Sequence, residues 1–403
     1  MKKLVSLLLA GAIGTAGLIG LTACGDDNAA DIDALIKEGQ GMTTEQLLEK
    51  AKTETGDFVA YGNTSRITKA VDNFKAKYTE LGLNDKSVGT KKNDSQIYTL
   101  LGNEYKMTGS TTRASMVLIQ DSAQLDQYTS LTKMLVNYIP NGMEDKVDEA
   151  NRVPLAHQFI NKLFMYNTAG ETNLKFTNVW ELTQEKYRDK IFFKSPKTEQ
   201  VNMNFLIMLT SDEWAGKLET AYKAFNNNQA AEDVGAGKTY KNYGYKWVHD
   251  FYLNCNLSID SDTKIAGQLS SSDNAGKMGL FVLSKLRDDS VQQDNLQVSA
   301  WDKKDDNSLQ KIEPFAGFMY SIYAQLAANA PRPYTAMLFV NYLMTEEGFK
   351  PWASMGGYSA NTTVPVTQGD SELSFWQSNL VVENGAYINS VKVDVEDWIS
   401  KIR

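Results

Sequence analysis

The chain is 403 residues long with a net charge of -8, and 42% of its residues are hydrophobic and 10% aromatic. That composition describes a well-packed globular protein, and its acidity disfavours nucleic acid and anionic membrane faces as partners. The length exceeds what one core ordinarily holds, so two lobes are expected, and two cysteines, Cys24 and Cys255, exclude a framework of several disulfides.

Lys2 and Lys3 precede an apolar stretch over residues 4–21, which runs into Leu21-Thr22-Ala23-Cys24. The stretch is short, rich in Gly and closed by small residues, which suits a cleaved signal better than a permanent helix. The pattern resembles a bacterial lipobox, which implies loss of residues 1–23 and a thioether-linked diacylglycerol on Cys24. An ordinary signal peptide that stops near a cysteine is the alternative. Asp26-Asp27-Asn28 then reads as the start of a solvated tether. Cys255 reads as a small buried hydrophobe and not a nucleophile.

A helix is expected behind Thr43-Thr44-Glu45-Gln46, carrying Leu47, Leu48 and Ala51 on one face. The globular body opens at Gly56 with the strand Asp57-Phe58-Val59-Ala60-Tyr61. The turn Gly62-Asn63-Thr64-Ser65 follows and is expected to cap a helix bearing Ile67, Ala70, Val71, Phe74 and Tyr78. A strand feeding a capped helix opens a parallel α/β unit. Lys86-Ser87-Val88-Gly89-Thr90 is a second strand candidate, followed by a helix from Asp94 through Leu101. The apolar run Ala114-Ser115-Met116-Val117-Leu118-Ile119-Gln120 predicts a strand buried on both faces, with a further helix from Leu125 and Tyr128.

The crossing into a second lobe is expected near Val136-Asn137-Tyr138-Ile139-Pro140, where the pattern turns polar to Arg152 before Gln158 restores apolar residues. That lobe should hold Val179-Trp180-Glu181-Leu182, the strand Lys190-Ile191-Phe192-Phe193-Lys194 and a helix starting near Glu199. Helices over residues 212–225 and 245–253 and a polar loop at Asn226-Asn227-Asn228-Gln229 complete it. One long helix is expected over residues 334–349, behind Pro331-Arg332-Pro333.

No Gly-x-Ser-x-Gly elbow, His-Glu-x-x-His helix, P-loop or Gly-x-Gly-x-x-Gly occurs. The two histidines, His157 and His249, have no suggestive neighbours and read as surface or hydrogen-bonded residues. No catalytic residue, metal ligand set or cofactor is expected. The helix starts are more informative. Asn63, Thr64 and Ser65 set side-chain donors beside free backbone N–H groups, a place that can hold an anionic group, with a plain cap as the alternative. Gln120-Asp121-Ser122, Ser195-Pro196-Lys197-Thr198 and Ser270-Ser271-Ser272-Asp273-Asn274 are turns of the same kind. Several such turns are what a cleft at the carboxyl ends of parallel strands needs.

The lipobox, the opening run from Gly56 to Ser65 and the strand and turn Ile191-Phe192-Phe193-Lys194-Ser195-Pro196 share the style of one family. So do the closing run Ala336-Met337-Leu338-Phe339-Val340-Asn341-Tyr342-Leu343-Met344-Thr345-Glu346-Glu347-Gly348-Phe349 and Gly356-Gly357-Tyr358. Together they resemble the extracellular solute-binding proteins of ABC importers, in the type 2 group that includes ferric-iron, polyamine and thiamine binders. The resemblance implies a two-lobed α/β fold of the type 2 periplasmic-binding-protein kind, with a hinge and an interlobe ligand cleft. It implies a signal peptide over 1–23, an anchor and tether over 24–55, a first lobe over 56–140, a second over 141–310 and a return segment over 311–403. The family's cleft positions fall on Asn63, Thr64, Ser65, Asp121, Ser122, Ser195 and Thr198, with Tyr320 added, for which core packing is the equal alternative.

The partners so implied are a small-molecule ligand, an ABC permease with its ATPase, and the membrane through the lipid anchor, with a monomeric body on the outer face of the cell membrane. Hydroxyl- and amide-rich turns favour a polar or anionic solute. Iron and polyamine stay open: there is no adjacent tyrosine pair, whereas Asp121, Trp180 and Glu181 could face a cation, with packing of the second lobe beside Leu182 the favoured alternative for Trp180. An enzyme on the same fold is the competing class and would need a base in the cleft.

Overall fold

The structure is a computed structural model describing residues 27–107, 112–169, 176–287, 295–301 and 308–403, so Cys24 and its lipobox lie outside the described residues. Helix α1 (Asp27–Gln40) replaces the expected solvated tether: Ile32 and Ile36 are buried against the body, one helical turn apart. A Cβ on Gly39 would stand 2.4 Å from Met337 Sδ, so a side chain there would require the Met337 thioether to move aside. Helix α2 (Thr44–Ala51) begins as expected, with a capping box in which Thr43 and Gln46 bond each other's backbone N–H.

In the first lobe, strand β1 (Val59–Gly62) lies between β2 (Val88–Lys91) and β3 (Ala114–Ile119), parallel to both. Helix α3 (Arg66–Lys77) buries Ile67, Ala70, Val71 and Phe74, the predicted face. It rests on β2 because Gly89 has no side chain: a Cβ there would meet the Ile67 carbonyl oxygen at 2.3 Å. Helices α4 (Asp94–Tyr105) and α5 (Ser122–Asp126) follow β2 and β3.

Strand β4 (Leu135–Val136) stays in this lobe, pairing with the last residues of β10 (Gly317–Ala327). The crossing comes later than Pro140, along β5 (Ala156–Asn167), and the reason is the anchoring of the intervening loop: the Tyr138 hydroxyl bonds Asn341 at 2.9 Å, and Lys146 O accepts from Thr362 N. Twelve residues of strand reach about 40 Å at roughly 3.3 Å each, enough to run through both lobes. β10 returns antiparallel beside it, from Gly317 opposite Leu163 to Tyr323 opposite Ala156. The far half of β10 pairs with β3, and the far half of β5 with β8 (Met278–Val282), so two strands join the lobes as a hinge.

The second lobe adds β6 (Ile191–Phe193), parallel to both β8 and β7 (Cys255–Asn256), and β9 (Leu296–Val298), antiparallel to the end of β5; the main sheet order is β2-β1-β3-β10-β5-β8-β6-β7. Helices α6 (Gln200–Leu209), α7 (Asp212–Phe225), α8 (Tyr243–Asn254) and α9 (Asp262–Leu269) cover it. Cys255 is buried, its thiol donating to Phe251 O. Trp180 is buried too, its indole N–H on Leu218 O. The long helix expected over 334–349 is two helices, Pro333–Leu343 and Glu346–Phe349. Thr345 interrupts it by capping Gly348 N at 3.0 Å, and Gly348 tucks against the Tyr342 carbonyl, where a Cβ would clash at 1.9 Å. The last helix, Gly385–Ser400, packs on α5 of one lobe and α6 of the other.

Candidate functional site

Parallel strands deliver the turns that follow them to one edge of a sheet. In the first lobe that edge collects Asn63 after β1, Asp94 after β2 and Gln120, Asp121 and Ser122 after β3. In the second it collects Lys194 and Glu199 after β6 and Asp262 after β7. The two edges meet: Gln120 Nε2 donates to Glu199 Oε1 across the cleft at 3.3 Å. Lys162 from β5 and Tyr320 from β10 rise between them on the same face of the hinge pair, since Tyr320 lies opposite Ile160 and Phe318 opposite Lys162. Glu383, just past the short strand Val381–Val382, completes the group.

The second-lobe charges are internally matched. Lys162, 2% exposed, donates to Asn202 Oδ1 at 2.7 Å and stands 3.7 Å from Asp262 Oδ2. Lys194 pairs with Glu199, and Asn202 Nδ2 holds Lys194 O at 2.7 Å. Burial would raise the Glu199 carboxyl, but Lys162 and Lys194 outweigh it and hold the group below the usual carboxylate range.

The remaining acids behave oppositely. Burial, helped by the Asp121 charge, pushes Asp94 up to about 8. Burial likewise lifts Asp121, although its Oδ1 accepts from Ala123 N at 3.1 Å and Gln124 N at 3.3 Å. Glu383 rises to about 8, mainly by burial, with Asn204 Nδ2 donating to its Oε1 at 2.8 Å. Asp94 Oδ1, Asp262 Oδ1 and Asn63 Nδ2 are buried with no hydrogen-bond partner among the described residues.

Of the residues named from sequence, Asn63, Asp121, Ser122 and Tyr320 stand at these edges. Thr64 is half-buried and Ser65 exposed, and Ser65 makes no side-chain cap bond to α3, so the expected capping turn is held by backbone bonds from Ile67 N to Thr64 O and Thr68 N to Ser65 O. Ser195 and Thr198 are spent on their own turn: Ser195 O accepts from Thr198 N, Thr198 Oγ1 and Glu199 N, and Thr198 is exposed. The side chain of this turn that reaches the other lobe is Glu199. The Ser270 turn precedes β8 and so lies at the opposite edge, where Asn167 Nδ2 ties down Leu269 O and Ser271 O.

Sequence reasoning passed over Asp94, Lys162, Asp262 and Glu383 as site residues. An acid in the first turn of a helix is common enough to signal nothing by itself. His157 departs from its expected surface or hydrogen-bonded state. It is fully buried on β5 against Phe349 and Trp352, neither ring nitrogen has a partner among the described residues, and burial pushes it down to about 3. His249 meets the expectation, its Nδ1 lying 2.9 Å from both the Tyr240 hydroxyl and Asp250 Oδ1.

A groove of about 1200 Å³ lies on the second lobe beside α7 and is lined by Trp214, Lys217, Lys311, Glu313 and Glu383. Both of its lysines are already paired, Lys217 with Glu213 and Lys311 with Glu313, whereas the interlobe edges hold Asn63 Nδ2, Asp94 Oδ1 and Asp262 Oδ1 without a partner among the described residues. The chemistry therefore points to the cleft.

No family model matches the chain, and no curated protein matches it. Solved structures do. A Trichodesmium protein (IdiA, FutA) in complex with iron and citrate superposes with TM-score 0.58 at 15% identity, over 86% of this chain and 99% of its own. The periplasmic binding protein AfuA from Actinobacillus pleuropneumoniae, with fructose-6-phosphate bound, gives 0.61 at 14% identity over the same shares. An ABC transporter structure from Clostridium perfringens gives 0.53 at 11%, over 85% and 98%. The chain has the two-lobed α/β fold of periplasmic binding proteins, with the hinge pair and facing strand ends expected from its sequence.

Proposed function

We propose that this protein is the substrate-binding component of an ABC importer, capturing a small polar solute between its lobes and presenting the closed form to a permease. The observation that carries this reading is the pair of facing strand-end edges, bridged by Gln120 and Glu199 and lined with buried polar atoms that have no partner among the described residues. Such atoms cost free energy when left unpaired, and a ligand between the lobes would satisfy them while holding the lobes shut. Differential affinity for the closed state is what turns binding into a shape a permease can read. The neighbours' printed ligands, iron with citrate and fructose-6-phosphate, support a small solute as the ligand. The protein is a binder and not an enzyme, monomeric, and held on the outer face of the cell membrane by a lipid on Cys24. Native mass spectrometry of the purified protein tests the reading: a small molecule retained at unit stoichiometry, released unchanged on denaturation, is the expected result. A chemically altered product released with turnover would overturn it.

A further inference from the structure

We propose that the last helix, Gly385–Ser400, is a strap that travels with the second lobe and shuts onto the first through a close contact of Gly385 with Ser122. The proposal rests on the hinged, solute-binding reading and adds to it the device that sets how far the closed form is populated.

The strap is rooted at the hinge. Val381 and Val382 pair with Phe318 and Met319 of β10, and Glu383 N donates to Met319 O at 2.9 Å. Asn384 then caps the helix, its Oδ1 accepting from Tyr387 N at 3.0 Å. Beyond the cap the side chains commit to the second lobe. The Tyr387 hydroxyl lies 3.0 Å from Thr210 Oγ1, Glu396 Oε1 accepts from Gln200 Nε2 at 2.9 Å, and the Trp398 ring meets Tyr245 edge-on at 4.8 Å between centroids. The far end is hooked in the same way. Arg403 Nη2 donates to Cys255 O at 2.7 Å and its guanidinium stands over the Tyr252 ring, while Lys197 Nζ donates to Arg403 O at 2.9 Å.

Toward the first lobe the helix relies on close approach. A Cβ on Gly385 would stand 2.9 Å from Ser122 Cβ and 3.3 Å from Ser122 O, two atoms that no change of rotamer can move aside. Gly385 has no positive φ, so its backbone does not call for glycine, whereas this seam does. When the lobes part, the helix must leave one of them. Its second-lobe face is held by the bonds and rings just named, and its first-lobe face by packing on α5, so the seam at Ser122 is the one that opens. Gly385 lies only three residues past Val382, beside the hinge pair, so a wedge there moves the far ends of the lobes by more than its own size.

The test reads distances in the purified full chain without added ligand. Paired probes on azide-bearing amino acids replace three exposed residues, Lys69 on the first lobe, Gln268 on the second and Asn389 on the strap. In the parent, the distance from Asn389 to Gln268 should be single, and that from Lys69 to Asn389 should vary in step with that from Lys69 to Gln268. Gly385→Ala and Gly385→Leu should lengthen both distances from Lys69 and lower the closed-to-open ratio about tenfold, the change that about 1.4 kcal/mol of overpacking makes. Alanine and leucine form helix better than glycine, so helix content by circular dichroism should not fall, which separates a wedged seam from an unfolded strap. Unchanged Lys69 distances in both variants overturn the proposal. So does a strap that keeps its distance to Lys69 while its distance to Gln268 varies. Neither result touches the solute-binding reading, which is judged by what native mass spectrometry finds retained.

Discussion

His157→Leu isolates the free energy of one buried imidazole. The ring is fully buried on β5, with Trp352 at 4.8 Å and Phe349 at 5.5 Å between centroids and no partner for either nitrogen among the described residues. Its folded pKa of about 3 lies below the unfolded value of 6.5, so the unfolded chain binds the proton first. The stabilisation it allows is therefore fully present above the unfolded value and is lost as pH falls toward the folded one. Between about pH 8 and about pH 5, the parent should lose about 2 kcal/mol through this residue alone. That figure hardly depends on the folded pKa, because pH 5 already lies well above it. Leucine does not titrate, so the variant should gain about 2 kcal/mol relative to the parent over that interval. At about pH 8 two effects oppose: relief of unpaired nitrogens, roughly 1–3 kcal/mol, and loss of edge-on aromatic contacts, roughly 0.5–1.5 kcal/mol. Urea unfolding of both proteins across the interval is the assay. Parallel stability curves would refute the reasoning, since they would mean the imidazole is hydrogen-bonded or hydrated in the native state.

Glu383→Gln should show the opposite pH trend in the ligand-free protein: the raised carboxyl keeps its full stabilising effect below about 4.5 and loses it toward about 8, so the variant should exceed the parent by roughly 1–3 kcal/mol near neutral pH, read by urea unfolding. Glu54→Ala should destabilise strongly, because the Glu54 carboxylate takes Tyr334 N at 2.7 Å, Thr335 N at 2.8 Å and Thr335 Oγ1 at 2.7 Å at the start of the helix Pro333–Leu343, bonds worth roughly 1.5–3 kcal/mol each when charged. Thr43→Ala removes the capping box of α2 and should cost about 1 kcal/mol without altering ligand affinity, checked by thermal melting and calorimetry. Cys24→Ala should yield a protein that metabolic labelling with a radiolabelled fatty acid leaves unmarked; incorporation of label would remove the anchoring proposal.

What the sequence determined by itself was the local code and, through it, the fold class. The apolar run at Ala114–Ile119, the 3 and 4 spacing along α3 and the boundaries of α7 are written in neighbouring residues, where burial and helical period act over a few positions. The turns bearing Asn63, Asp121 and Ser122 could be read as strand ends for the same reason. Tertiary structure decided the rest. Whether a first-turn acid faces solvent or another acid depends on segments hundreds of residues apart, and Asp94, Asp121, Glu199, Asp262 and Glu383 become one cluster only when two sheets bring their strand ends together across β5 and β10. The hydroxyls of Ser195 and Thr198, conspicuous in the sequence, are consumed by their own turn, the first accepting from Lys197 N and the second donating to Ser195 O, while Glu199 beside them crosses the cleft. The membership of the cleft is thus a property of the assembled fold: side chains meet in space, and the sequence orders these residues by chain position alone.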